Sequence, residues 1–214
     1  MKIIKADVEF VTPIDGGVIL KRLEQCGRVC YKSEDRITDT SAPAFVADII
    51  KRGHEAVLEH CSFTVKFICD RGVSHEIVRH RLASYCQEST RYCNYGKGKF
   101  GEEITVIAPD ALKLNEKAYS HWRIGCKFAE SRYFDMLDAG SSPQEARAVL
   151  PNSLKTEVVM TANIREWRHF LRLRCAKNAH PQMREVACKL LDKVHDLIPV
   201  CFDDIWEAQH ETAE

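Results

Sequence analysis

The chain has 214 residues, enough for one domain with a substantial core, and its 45% hydrophobic and 29% charged content is that of an ordinary soluble globular protein. Its 31 Lys plus Arg balance 31 Asp plus Glu, so the formal net charge is zero, which argues against non-specific nucleic-acid binding or an anionic membrane surface. No signal-like apolar stretch opens the chain and no apolar run approaches the ~20 residues that span a bilayer, so a cytoplasmic protein without membrane or nucleic-acid partners is expected. Ten cysteines are spread from Cys26 to Cys201 with no Cys-x-x-Cys pair. That spread favours reduced packing residues over a disulfide scaffold or a zinc or iron–sulfur site, and no metal is expected.

In chain order, residues 2–13 alternate enough (Ile4, Ala6, Val8, Phe10) for an edge or half-buried strand. Residues 17–31 suggest a helix with an irregular stripe of Val18, Leu23 and Cys26. Residues 44–53 suggest a second, with Phe45, Val46, Ile49 and Ile50 at helical spacing and Gly53 as its stop. Residues 62–69 give the clearest strand, with Phe63, Val65 and Phe67 on one face. A helix starting near Val73 is expected to carry Ile77 and Val78 into Arg79-His80-Arg81, and residues 92–101, rich in Gly and Lys, predict an exposed loop. A short strand at 104–108 precedes Pro109, and 110–137 is mostly helical. After a turn at 138–143, Ser142, Pro143 and Glu145 form the N-cap, N1 and N3 of a helix running toward Leu150. Residues 155–162 predict a strand centred on Val158, Val159 and Met160, with helices at 164–175 and 181–198. The whole predicts a single α+β domain over 1–214, a mostly antiparallel or mixed sheet flanked by helices.

Three constellations carry chemistry. Arg79, His80 and Arg81 stand in a row ahead of polar residues that end in Ser89 and Arg91. Adjacent cations suit an anion site, because guanidinium forks, hydroxyls and loop N–H groups can converge on phosphate oxygens. The segment from Gly53 to His60 places two His and two Glu in one turn, but Leu58 stands where a His-Glu-x-x-His zinc helix needs its second His. A polar cap beneath the following strand is the equal alternative. In the third, Arg165, Arg168 and Arg172 share a helical face, most simply as surface charge, while Asn163 and Arg165 at a strand-to-helix junction suit an anionic or polar ligand. Arg147, in an otherwise apolar helix end, asks for a buried anionic partner. No Gly-x-Gly-x-x-Gly, P-loop or Gly-x-Ser-x-Gly pattern is present.

Arg79-His80-Arg81, seven residues and then Ser89, with Arg91 two further on, resembles the Arg-His-Arg-x7-Ser signature of flavin-dependent thymidylate synthases. The resemblance runs from about residue 28 to 185, through His54-Glu55…Glu59-His60, Arg147, Asn163-x-Arg165 and Arg174. The sequence departs from that family at Glu76 (often Gln), Cys86 (often Asn), Ala56 (Ser or Thr) and His169 (Asn), and Cys30 replaces a Ser that can touch the flavin.

The resemblance implies reductive methylation of dUMP to dTMP, with carbon from 5,10-methylenetetrahydrofolate and reducing equivalents from NADPH through FAD, in a homotetramer whose active sites lie at subunit interfaces. It implies dUMP contacts from Glu76, Arg79, Gln87, Glu88, Ser89, Thr90, Arg91, Arg147 and Arg174. Arg174 stabilises charge on the pyrimidine, and Ser89 is a catalytic position without a nucleophilic role, because no adjacent base activates it. FAD contacts are implied for Cys30, His54, Ala56, Glu59, Arg79, His80, Arg81, Asn163, Arg165 and His169. An Arg-rich RNA- or nucleotide-binding module and a His/Cys metalloenzyme are the alternatives. The first predicts salt-sensitive RNA binding, and the second predicts bound zinc or iron.

Overall fold

A computed structural model describes residues 1–96, 98, 101–113 and 115–210. The strands are β1 (Lys2–Ile4), β2 (Asp7–Phe10), β3 (Ser62–Asp70), β4 (Ala83–Gln87), β5 (Thr105–Ile107) and β6 (Lys155–Asn163). The helices are α1 (Gly16–Tyr31), α2 (Ala42–Lys51), α3 (Arg71–Ile77), α4 (Asp110–Lys113), α5 (Glu116–Asp138), α6 (Pro143–Ala146), α7 (Ile164–Arg174), α8 (Pro181–Leu197) and α9 (Pro199–His210). Shorter 3-10 turns cover Glu34–Arg36, Glu55–His60 and Arg147–Val149. The α+β class stands, with helices around small sheets of mixed pairing. β1 pairs with β5 in parallel and Val106 bridges Leu154 antiparallel, while a four-stranded sheet has the order β2-β3-β6-β4.

Contacts divide the chain into two compact units. The first comprises residues 1–7, 67–79 and 85–159. Its core gathers Ile104, Val106, Cys126, Tyr133, Ala146 and Leu154 around the buried ring of Tyr95. The second comprises residues 8–66, 80–84 and 160–214. There Trp167 of α7 stacks on Phe63 of β3 at 5.0 Å between ring centres and donates its indole N–H to the Phe63 carbonyl. Phe170, Leu171, Met183, Val186, Leu190, Leu191 and Phe202 complete that core.

Several elements differ from the sequence-based expectation. Residues 2–13 form two strands in different sheets, not one. α3 stops at Ile77, so Arg79-His80-Arg81 lies in a turn, and the unexpected β4 follows. Tyr85 of β4 donates its hydroxyl to the Ile77 carbonyl and takes up that helix end. The 110–137 helix is two helices, with Asn115 capping the second through Ala118 N–H. Ser142 and Glu145 form the expected capping box, but the helix tightens into the 3-10 turn at Arg147. In β6 Val158 and Met160 are buried, while Val159, one residue out of phase, is only partly covered. α9 was not expected at all. The loop at 92–101 is irregular where described; residues 97, 99 and 100 and Leu114 lie outside the described residues.

Asp70 caps α3, its Oδ1 accepting from Val73 N–H at 2.8 Å in a buried setting. Asp70→Ala is expected to destabilise the protein by about 1 kcal/mol in a denaturant titration, the usual loss for an N-cap carboxylate.

Candidate functional site

The Arg-His-Arg turn sorts its side chains by exposure. Arg79 and Arg81 are exposed, and His80 between them is buried, 5% accessible. Neither exposed guanidinium has an ion-pair partner among the described residues, so both present unneutralised charge to solvent. His80 Nε2 accepts from Arg174 Nε at 3.0 Å, and His80 Nδ1 lies 3.0 Å from Glu166 Oε1. Arginine can only donate, so Nε2 carries the lone pair and Nδ1 the proton, which is donated to Glu166. Burial holds the His80 pKa below its ordinary 6.5; the Glu166 hydrogen bond works against that, and the Arg174 charge works with it. His80, Glu166 and His169 are close enough together to suggest a metal site. The His80 lone pair that would bind a cation is given to Arg174, however, whose charge repels one, so Glu166, His80 and Arg174 form a hydrogen-bond relay.

α7 supplies a neighbouring cleft of about 750 Å³ in the second unit, lined by Glu55, Glu59, Leu82, Asn163, Arg165, Glu166, His169 and Arg172. Asn163 is the N-cap, its Oδ1 accepting from Glu166 N–H at 2.9 Å. Arg165 bonds Glu59 at 2.6 Å and faces Glu55 at 3.6 Å, and Arg172 reaches Glu55 at 3.4 Å and Asp204 at 2.8 Å. The expectation of surface charge fails for Arg168. Its side chain is 1% accessible, forked onto both Asp204 oxygens at 2.8 Å and bonded to the Cys201 carbonyl. His54 is exposed and hydrogen-bonds Tyr31 Oη at 2.7 Å, and Cys30 and Ala56 are exposed.

In the first unit, Glu88 N–H bonds the Glu157 carbonyl and pins the 88–91 loop to β6. The Glu88 carboxylate pairs with Lys155 at 3.0 Å, and Lys155 also bonds Glu157 at 2.6 Å. Burial alone would lower the Lys155 pKa, but these two carboxylates raise it above its usual value. Gln87 donates to Ser74 at 2.9 Å and Thr156 at 3.3 Å. Ser89 Oγ accepts from Arg91 N–H at 3.3 Å, and no base is bonded to it among the described residues. Arg91 stays exposed, 5.6 Å over the Tyr92 ring. The buried anion expected for Arg147 is not there: Arg147 is exposed and donates to the neutral hydroxyl of Thr90 at 3.1 Å. Glu76, on α3, is half-buried and its carbonyl accepts from Arg79 N–H.

Sequence reasoning missed Glu166, Lys155 and the Arg168–Asp204 pair. Glu166 sits three residues after the Asn163 cap, where an acid is common in helix starts and so carries no distinguishing signal in the sequence. Asp204 lies on the unexpected α9.

Asp204 is drawn upward in pKa by burial but held below 3.8 by hydrogen bonds from Arg168 and Arg172 and by their charges. A depressed carboxylate contributes stability above its unfolded pKa and loses it as pH falls through the folded value. Asp204→Asn is therefore expected to destabilise by about 2 kcal/mol at pH 7, because buried Arg168 loses its counter-charge and solvent at the half-exposed carboxylate screens part of the effect. Paired thermal melts should converge as pH falls below 3.8.

Residues 19–200 match the family described as thymidylate synthase complementing protein. Proteins named flavin-dependent thymidylate synthase are similar over most of the chain. The one from Pyrococcus furiosus is 34% identical over 78% of this chain and 68% of its own. Those from Geobacter sulfurreducens (33%; 83% and 78%) and Corynebacterium glutamicum (32%; 93% and 84%) are comparable. Among solved structures, the UMP/dUMP methylase PolB from Streptomyces cacaoi, crystallised with 5-Br dUMP, superposes with a TM-score of 0.78 over 100% of both chains at 23% identity, a likeness of fold. On the extent of these matches, the chain belongs to the flavin-dependent thymidylate synthase family.

Proposed function

We propose that this enzyme converts dUMP to dTMP, taking a methylene carbon from 5,10-methylenetetrahydrofolate and a hydride from NADPH. A methylene-level carbon becomes a methyl group only with one added hydride and one proton, so dUMP, methylenetetrahydrofolate, NADPH and H⁺ yield dTMP, tetrahydrofolate and NADP⁺. FAD, when bound, would supply the hydride-carrying chemistry between NADPH and the reacting carbon.

The observation that carries the reading is the sorting of the Arg-His-Arg turn: two exposed guanidiniums, without ion-pair partners among the described residues, flank a buried histidine that grips Arg174. Arg79, Ser89, Arg91 and the N–H groups of the 88–90 loop would hold the phosphate and base of dUMP, with Glu76, Gln87, Glu88, Thr90 and Arg147 around them. Arg174 would oppose negative charge developing on the pyrimidine carbonyl.

The donor set of the α7 cleft fits a flavin dinucleotide. Its volume lies within the ~300–1,000 Å³ of cofactor sites, Asn163, Arg165, Arg172 and His169 line it, and exposed Arg81 adds charge for a diphosphate. Cys30, His54, Ala56, Glu59 and Arg79 would complete the flavin contacts, and His80 would contribute through Arg174, since both its ring nitrogens are engaged. The 1–214 chain would act as one domain in a cytoplasmic homotetramer.

The purified protein should be yellow and should bleach with NADPH under anaerobic conditions. Failure to bind FAD even when it is supplied would sink the proposal. Arg174→Ala should lower dUMP-dependent turnover by roughly 100-fold or more, as loss of a charge-stabilising donor does, with an unchanged circular-dichroism spectrum. Light scattering should give four times the 24.5 kDa chain mass.

A further inference from the structure

Glu166 is a buried carboxylate lining the α7 cleft. It is 7% accessible on the first turn of α7, where the helix start needs nothing from its side chain, because Asn163 already caps the Glu166 N–H. Its carboxylate instead bonds His80 Nδ1 at 3.0 Å, and His80 Nε2 in turn accepts from Arg174 Nε at 3.0 Å.

We propose that Glu166 is a positioning residue for the methylation: by holding His80 as its Nδ1–H tautomer, it makes Nε2 an acceptor that fixes the Arg174 guanidinium. The opposite tautomer would aim an N–H at the Arg174 Nε–H, two donors facing each other, and the grip would fail. A carboxylate can only accept from Nδ1, so its presence selects the tautomer, as second-shell carboxylates do for metal-bound histidines. The inference rests on the role given to Arg174 above.

Protonation gives an independent handle. Glu166, Arg174 and His169 act on the charge of His80, and the Phe170 ring packs against it at 4.9 Å. When His80 takes a second proton, on Nε2, it ceases to accept from Arg174. Turnover should therefore fall as pH drops through the His80 pKa, which lies below its ordinary 6.5. Removing the Glu166 charge, which favours the protonated ring, should move that acidic limb to lower pH.

The test uses the holoenzyme. Glu166→Leu should lower kcat roughly 10- to 100-fold, the usual range for a second-shell orienting group, and should weaken dUMP binding measured by calorimetry in the same direction as Arg174→Ala. Glu166→Gln, whose amide oxygen still accepts from Nδ1–H, should recover most of the loss and show an acidic limb displaced to lower pH. A merely structural glutamate would not move that limb. Wild-type kcat in Glu166→Leu together with a crippled Arg174→Ala would overturn the relay alone, whereas wild-type turnover in Arg174→Ala would overturn the relay and the reading beneath it. If Glu166→Leu does not fold, an unshifted limb in Glu166→Gln would suffice to overturn the relay.

Discussion

Trp167 lies almost flat on Phe63, 10° between ring planes, with its indole N–H tied to the Phe63 carbonyl, and this contact sets the rotation of α7 about its axis. A helix turns about 100° per residue, so fixing one side chain fixes the direction of all the others. With Trp167 inward, Phe170 and Leu171 follow it into the core, and Arg165, His169 and Arg172 point to solvent. Glu166 and Arg174 end up where His80 can bridge them. A rotation of one residue position would replace the cleft's polar lining with apolar groups. The aromatic stack and the polar relay thus specify the same rotamer of a whole element, one through area and shape, the other through directional bonds.

Charge is arranged at two levels. Glu55 faces Arg165, Arg168 and Arg172, and Asp204 is shared by the last two, so these three cations of α7 are paired within the fold. Among the described residues, Arg79 and Arg81 have no such partner. A paired arginine is oriented before any ligand arrives, and an unpaired exposed one retains its charge for an incoming anion. The net charge of zero conceals this division, since the same residue type serves as framework in one place and as recognition surface in another.

The legible parts of the fold were those with a strong local rule. β3 alternates Phe63, Val65 and Phe67, α8 repeats its apolar residues at helical spacing, and Ser142, Pro143 and Glu145 spell a capping box. The illegible parts depend on distant partners. β4, Ala-Ser-Tyr-Cys-Gln, has no buried residue and no apolar alternation, and is a strand because β6 lies beside it. α3 seemed to run on through Val78 because β-branched residues look alike in helix and turn. Of the site, the Arg-His-Arg signature was readable through resemblance, whereas Glu166 was hidden by its own plausibility as a helix-start acid. Arg168 was read as surface charge because its burial depends on Asp204, 36 residues away.

The position of Asp204 also has a consequence for biosynthesis. α9 is the last described helix of the chain, and it carries the counter-charge for Arg168. While a ribosome is still extending the polypeptide, α7 emerges before α9, and Arg168 then has Glu55 at 4.0 Å but not the fork of Asp204. The final packing of α7 therefore waits for the helix that carries Asp204, and a chain broken off between Arg168 and Asp204 keeps a guanidinium that folding can bury only at a cost.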